Sequence, residues 1–321
     1  MKKIGVLTTG GDAPGMNAAI RAVVRTSLNY GLEITGVERG FRGLYERSFI
    51  KLTSRSVSGI INKAGTFLKT IRFPEFREYE IRKACYENLK EENIEGLAII
   101  GGDGSAKGTY CLYNDFGFPV VLIPASIDND LYGTDFTIGF DTAVNTAVSA
   151  IDKIRDTATS HNRTFVVEVM GREKGNLALE VAVACGAEIV IIPEIKTSIE
   201  KIVHLLKEQE EKGKESSIII LAEGAGKAED LTAFLQRELP EREIRYSVLG
   251  YIQRGGTPTY LTRVLATRFG VAAVDLLVKG KYPYMVGIKG NEIVHIPLEE
   301  VISKQKPISD TYLEIVSRMA I

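Results

Sequence analysis

Apolar, β-branched runs of four or five residues recur along the chain, separated by longer stretches with a helical period. The runs are Ile4–Thr8, Ile34–Val37, Leu97–Ile100, Val120–Ile123, Phe165–Val169, Ile189–Ile192, Ile218–Leu221 and Tyr246–Leu249. Most are apolar at consecutive positions, as a strand covered on both faces should be. The helical stretches run from Met16 to about Tyr30, Phe76 to Glu91, Ala106 to Asn114, Thr142 to Thr157, Ile199 to Lys212 and Tyr260 to Val278. Strand followed by helix, repeated, predicts right-handed βαβ units and a mostly parallel sheet, an α/β fold. The polar run Glu208–Ser216 reads as a solvated helix end and turn.

Polar chemistry is concentrated directly after these strands. The first runs into TTGGDAPGMN, and later ones into GGDGS, PASIDND, MGR, AEGAG and GYIQRGG. In open α/β sheets ligands bind outside the carboxyl ends of the strands. Gly10-Gly11 and Gly101-Gly102-Asp103-Gly104-Ser105 are glycine-rich turns ahead of helices, where backbone N–H groups can approach an anion. Each alone fits a ligand-free turn as well as a phosphate cradle; two on separate strands favour a polyphosphate. Neither is a GxxxxGK[ST] P-loop, and no GxGxxG follows the first strand.

Asp103 suits either a carboxylate that holds Mg²⁺ together with substrate phosphates or an N-cap for the helix from Ala106. Asp128-Asn129-Asp130 places two carboxylates two residues apart after a buried strand. One can accept a proton while the other orients it or binds metal through water. A polar turn is the alternative, disfavoured by the constraint of Pro124-Ala125-Ser126 just before. Arg72, Arg163, Arg172, Arg245 and Arg254 stand at loop positions beside these motifs. Planar guanidinium groups suit bidentate phosphate recognition.

Composition narrows the class. At roughly 100–200 residues per domain, 321 residues suggest two domains. The net charge of −1 argues against nucleic acid as a partner. Cys85, Cys111 and Cys185 are far apart and form no CxxC pair, which fits packing residues in a reducing compartment. His161, His204 and His295 show no metal spacing, so zinc is not expected. The apolar run after the N-terminal lysines ends at Leu7, too short for a signal peptide. No stretch reaches the roughly 18 apolar residues of a membrane span. A cytoplasmic protein without a membrane partner is expected.

The segments LTTGGDAPGMNAAIRAVVR, GTFLKTIRFPEF, GGDGS, IDND, the stretch from Asp141 through SHNRTFVVEVMGR, AEG and IQRGGTPT occur in an order and spacing that resembles the ATP-dependent 6-phosphofructokinases of the compact bacterial type. The resemblance runs from end to end. It implies two three-layer α/β domains with mostly parallel central sheets and the active site in the cleft between them. The expected domains are 1–139 plus 252–303 for nucleotide and 140–251 plus 304–321 for sugar phosphate. The implied reaction moves the γ-phosphate of ATP to the 1-hydroxyl of fructose 6-phosphate, giving fructose 1,6-bisphosphate and ADP in glycolysis.

By the same resemblance, Asp128 takes the proton from the sugar 1-hydroxyl, with Asp130 supporting the metal and the local charge. Arg72 and Arg172 lie near the transferred group, with Ser126 beside it. Gly11, Arg72, Phe73, Gly102, Asp103, Gly104 and Ser105 hold the nucleotide, and Asp103 matches the Mg²⁺ position. Ser126, Ile127, Asp128, Met170, Gly171, Arg172, Glu223, Tyr251 and Arg254 form the sugar site. Arg163 and Arg245 match arginines that bind the sugar phosphate from a neighbouring subunit of a homotetramer. An effector site is implied at Arg21, Arg25, Arg55, Arg155, Glu188, Lys212 and Lys214. Pyrophosphate-dependent relatives usually carry Asp at the position of Gly104 and Lys at that of Ala125, so ATP is the expected donor.

Some positions depart from the family pattern. Tyr251 replaces the common histidine of GHIQRGG, Ser126 a threonine, and Thr262 the aspartate of FDR. Ser54 stands where an arginine is usual, with Arg55 one place on. NAD-kinase and diacylglycerol-kinase relatives share GGDG but do not account for IDND, MGR and QRGG together. A non-catalytic paralogue that binds nucleotide and sugar phosphate, and a kinase for another sugar phosphate, are the alternatives left.

Overall fold

The structure is a computed structural model and describes residues 1–319. Its strands are β1 (Lys3–Thr8), β2 (Glu33–Val37), β3 (Phe49–Lys51), β4 (Leu97–Gly101), β5 (Val120–Ser126), β6 (Ile138–Gly139), β7 (Thr164–Val169), β8 (Ile189–Ile191), β9 (Ser217–Ala222), β10 (Ile244–Val248), β11 (Tyr284–Lys289) and β12 (Glu292–Pro297). All eight expected runs are strands. The chain divides into two compact units: residues 1–142 with 254–306, and residues 143–253 with 307–321.

The first unit is built on an eight-stranded sheet of order β12-β11-β5-β4-β1-β2-β3, with β6 paired to β5. Its pairings are parallel except the edge pairs β2–β3 and β11–β12. Strands β1, β4 and β5 are buried along almost their whole length, which explains why they read as unbroken apolar runs. One face carries the helices Met16–Asn29 and Tyr260–Val278, which pack on each other. On the other face Leu7, Ile99 and Leu122 pack against Phe41, Leu89 and Leu112. That arrangement makes three layers, as the fold class requires.

The second unit carries a four-stranded, wholly parallel sheet of order β10-β7-β9-β8. Val166, Ile219 and Leu221 pack against Ile202 and Leu206 of the helix Ile199–Glu211 and Leu235 of the helix Ala228–Glu238. The helix Asn176–Cys185 packs on β8 and β9 from sequence that shows no helical period, because it is apolar nearly all round, with six of its ten residues buried. Arg242 is buried and ties three elements together. It donates to Thr164 Oγ1 (2.8 Å), Leu206 O (2.8 Å) and Ser217 Oγ (3.2 Å), so its polar atoms are met where an apolar core would leave them bare.

The run Glu208–Ser216 is a helix end and turn as expected, except that Lys214 reaches inward to Glu188 at 3.0 Å. Among the described residues, no helix is long and apolar enough to cross a membrane.

Candidate active site

In the first unit, three loops leave the carboxyl ends of the adjacent parallel strands β1, β4 and β5. They are packed together. Ser105 Oγ donates to Thr9 O at 3.1 Å, which joins the GGDGS turn to the first glycine loop. A Cβ on Gly102 would lie 3.5 Å from Ala125 O and 3.6 Å from Ser126 Cβ, which sets that turn against the IDND loop. Thr70 Oγ1 donates to Gly10 O at 2.9 Å and brings in the segment bearing Arg72 and Phe73. Arg254 Nη1 donates to Asp12 O at 3.0 Å, and a Cβ on Gly11 would sit 2.7 Å from the same nitrogen. The sequence-expected Gly11, Arg72, Phe73, Gly102–Ser105, Ser126–Asp130 and Arg254 therefore share one end of one sheet.

The helix after GGDGS begins at Asp103, three residues earlier than expected, with Gly102 at the N-cap and no side-chain cap. Asp103 is therefore no N-cap for a helix from Ala106. It is the first helical residue, its carboxylate 2.7 Å from Lys107 Nζ one turn on. Gly104 is exposed, and a Cβ there would meet no atom within 4 Å. Nothing in the protein itself requires glycine at that position. Gly10-Gly11 precedes the helix Met16–Asn29, as expected, and the N-cap is Gly15, φ 98°.

The IDND loop is a built turn. Ser126 Oγ accepts from Asp128 N (3.1 Å) and donates to Asp130 Oδ1 (3.1 Å), so one hydroxyl fixes both carboxylate-bearing residues. Thr137 Oγ1 donates to Ser126 O at 2.6 Å. Asn129 adopts φ 48°, a left-handed conformation that Asn tolerates, and its Nδ2 donates to Asp135 O at 2.9 Å. The middle residue of the triplet thus makes the turn while Asp128, only 4% exposed, and Asp130 carry the charge.

At the carboxyl ends of β7 and β9 in the second unit, Glu223 Oε1 accepts from Gly171 N (3.2 Å) and Arg172 N (2.6 Å). Gly171 has φ 143° and Arg172 φ 53°. A Cβ on Gly171 would fall 2.5 Å from Lys174 O. Strained backbone held this firmly marks a place where a side chain is being aimed, and Arg172 is exposed. Met170 is buried, and Tyr251 is 83% exposed.

Arg163 and Arg245 are placed differently from the expectation that they stand in loops at strand carboxyl ends. Arg163 immediately precedes β7, and Arg245 lies inside β10, paired with Phe165 at the start of β7. Both are at the amino-terminal edge of the sheet. They flank Glu243, which sequence reasoning missed. Its Oε2 lies 2.9 Å from Arg163 Nε and its Oε1 2.6 Å from Arg245 Nη2. The two arginines, Arg163 first, hold the Glu243 carboxyl down at about 2. The available signal was its place two residues before Arg245, hence on the same side of one strand.

Of the expected effector residues, three meet in the second unit. Glu188, 6% exposed, lies 3.0 Å from Lys214 Nζ and 3.5 Å from Arg155 Nη1, and its Oε2 accepts from Ile218 N at 2.6 Å. Lys212 instead pairs with Glu208 one turn back. Arg21 and Arg25 stand on the helix Met16–Asn29, with Arg55 exposed after β3. Thr262 is buried and accepts from Thr142 Oγ1 at 2.9 Å, so this departure from the family aspartate is a packed hydroxyl pair.

The family model that matches residues 3–277 is described as Phosphofructokinase. A protein of Sulfurihydrogenibium sp. (strain YO3AOP1) named ATP-dependent 6-phosphofructokinase is 51% identical over 307 residues, 95% of each chain. One of the same name from Shouchella clausii is 49% identical over the whole of both chains. Among solved structures, phosphofructokinase from Saccharomyces cerevisiae is similar at TM-score 0.90 and 35% identity. It matches all of this chain, which spans 48% of the yeast one.

Proposed function

Because the chain belongs to the phosphofructokinase family, we propose that its two units divide one phosphoryl transfer between them. The γ-phosphate of ATP passes to the 1-hydroxyl of fructose 6-phosphate, giving fructose 1,6-bisphosphate and ADP, a step of glycolysis. The nucleotide domain is assigned to residues 1–139 plus 252–303 and the sugar-phosphate domain to 140–251 plus 304–321. The observation that carries the reading is the convergence of the Gly11, GGDGS and IDND loops on one end of one parallel sheet.

Backbone N–H groups of the Gly11 and Gly102–Gly104 turns receive the nucleotide phosphates, with Ser105 beside them, helped by the N-terminus of the helix from Asp103. Phe73 and Arg72 border them. Asp128, fixed by Ser126, takes the proton as O1 of the sugar attacks, and Asp130 and Ser126 keep the base aimed. Arg72 and Arg172 offset charge on the phosphoryl oxygens as it spreads in the transition state. Glu223, Met170, Gly171, Tyr251, Ile127 and Arg254 complete the sugar contacts. Mg²⁺ is held mostly by substrate phosphates and needs only one or two carboxylates. The partly exposed Asp103, at a helix N-terminus, fits that demand. When bound, the ion neutralises phosphate charge.

Arg163 and Arg245 serve the sugar phosphate of another subunit's site. They lie at the opposite edge of the sheet from Met170–Arg172, and the seven steps from Arg163 to Met170 run about 23 Å at about 3.3 Å each. A six-carbon sugar phosphate is much shorter, so one copy of the chain does not bring both groups to one molecule. β10 is an edge strand with Tyr246 and Val248 about half exposed, an edge that calls for a cover. A homotetramer is the assembly proposed. An anionic effector is assigned to Arg21, Arg25, Arg55, Arg155, Lys212 and Lys214, with Glu188 organising the last arginine and lysine. A cytoplasmic location accompanies the glycolytic reaction.

The donor test is direct. Purified protein turns over fructose 6-phosphate with ATP and not with pyrophosphate in a coupled assay; faster turnover with pyrophosphate at saturation contradicts the reading. Gly104→Asp lowers kcat/KM for ATP at least about tenfold by placing like charge against the nucleotide phosphates. It does not lower the thermal midpoint, since a Cβ there meets nothing within 4 Å and an acidic residue suits the first turn of a helix.

A further inference from the structure

We propose that Glu243 is a positioning residue whose carboxylate braces Arg163 and Arg245 side by side as one receptor for a phosphate dianion. The inference rests on the reading above that these two arginines bind the sugar phosphate.

Two guanidinium groups side by side repel each other, and each ends a long, mobile side chain. The structure places a carboxylate between them. Arg245 gives Glu243 Oε1 its Nε (3.1 Å) and Nη2 (2.6 Å), the lateral edge of the guanidinium. Arg163 meets Oε2 as an ion pair: its buried Nε lies 2.9 Å away but is not aligned for a hydrogen bond. Glu243 thus holds both arginines from the Nε side, Arg245 by two hydrogen bonds and Arg163 by charge, and leaves the terminal Nη pair of Arg163 and the far Nη1 of Arg245 to a ligand. Backbone geometry fixes the brace. Thr164 N donates to Glu243 O at 3.0 Å, and the parallel β7–β10 register continues from there, so the starts of the two strands move as one piece.

The same carboxylate also repels a phosphate, and the two effects oppose each other. Glu243 and Arg245 are 40% and 57% exposed, so the repulsion is screened by water and salt. Ordering two arginines, each with large rotamer freedom, outweighs one screened charge. With a pKa near 2, Glu243 stays ionised through the working range of pH.

Steady-state kinetics of Glu243→Gln tests this. A glutamine offers one carbonyl oxygen to one arginine and turns its amide N–H groups towards the other. KM for fructose 6-phosphate rises about tenfold, while kcat and KM for ATP stay within about twofold and the thermal midpoint is unchanged. Glu243→Ala, at an exposed site, shows the same rise. In a cycle with Arg245→Gln the double variant is less impaired than the product of the two single effects, because Glu243 no longer has two arginines to align. An unchanged KM in Glu243→Gln, or a lowered one as a competing carboxylate would give, overturns the brace. So does full multiplicativity in the cycle. Arg245→Gln without any rise in KM would instead overturn the arginine assignment, and the brace with it.

Discussion

Asp128→Asn lowers kcat about 10²–10⁴-fold, the usual cost of losing a general base, or about 3–5 kcal/mol of barrier at 1.4 kcal/mol per decade. Both KM values remain within about threefold. The expectation of intact binding comes from how the loop is built. The turn is set by Ser126 Oγ accepting from the backbone N–H of Asp128 and donating to Asp130, and by Asn129 in its left-handed conformation. An amide of the same shape leaves those supports in place. What it lacks is a lone pair basic enough to take the proton of a sugar hydroxyl. Single-turnover measurements with saturating ATP and fructose 6-phosphate isolate the chemical step. Turnover close to that of the parent protein would remove Asp128 from the role of base.

Glu188→Ala destabilises the fold by about 2–4 kcal/mol. The Glu188 side chain is 4% exposed and has three partners: Lys214, Arg155 and the backbone N–H of Ile218. Its loss leaves that buried N–H without an acceptor, worth about 1–3 kcal/mol. It also removes the charge that balances two cations. Breaking a fully buried pair costs about 3–5 kcal/mol. The side chains of Lys214 and Arg155 are 28% and 32% exposed and regain part of their hydration, so the charge contribution is smaller. At roughly 2–4 °C per kcal/mol, the thermal midpoint drops about 4–16 °C. Glu188→Gln keeps the acceptor and falls about half as far. No shift in either variant, measured without ligand, would mean that Glu188 is held for an effector alone.

Most of the sheet framework was legible because central parallel strands are apolar on both faces, and β1, β4, β5, β7 and β9 are such strands. The hairpin β11–β12 was not. In β12 only Ile296 is fully buried, and the alternating, half-exposed EIVHIP lacks the unbroken run used to find the others. The helix Asn176–Cys185 escaped for the opposite reason, being apolar nearly all round and so without an amphipathic stripe. Loops at strand carboxyl ends were legible as chemistry because the fold places such loops together. Which residues support them was not. Thr70 contacts Gly10 from sixty residues away, and the pairing of β10 with β7 that sets Glu243 beside Arg163 spans eighty. Local patterns do not carry distances of that kind.

The separation of Arg163 and Arg245 from Met170–Arg172 by the length of a strand gives the proposed assembly a property that an isolated copy would lack. If each site takes its base from one chain and its phosphate arginines from another, two defective proteins repair each other. A chain with Asp128→Asn retains good arginines to lend, and a chain with Arg245→Gln retains a good base. When the two are mixed and allowed to exchange subunits, a mixed pair contains one site with both defects and one site with neither. Activity at low fructose 6-phosphate then rises above that of both parents, towards half that of the unaltered protein per mixed pair. Covalent fusion of the two variants fixes the pairing and holds the gain on dilution.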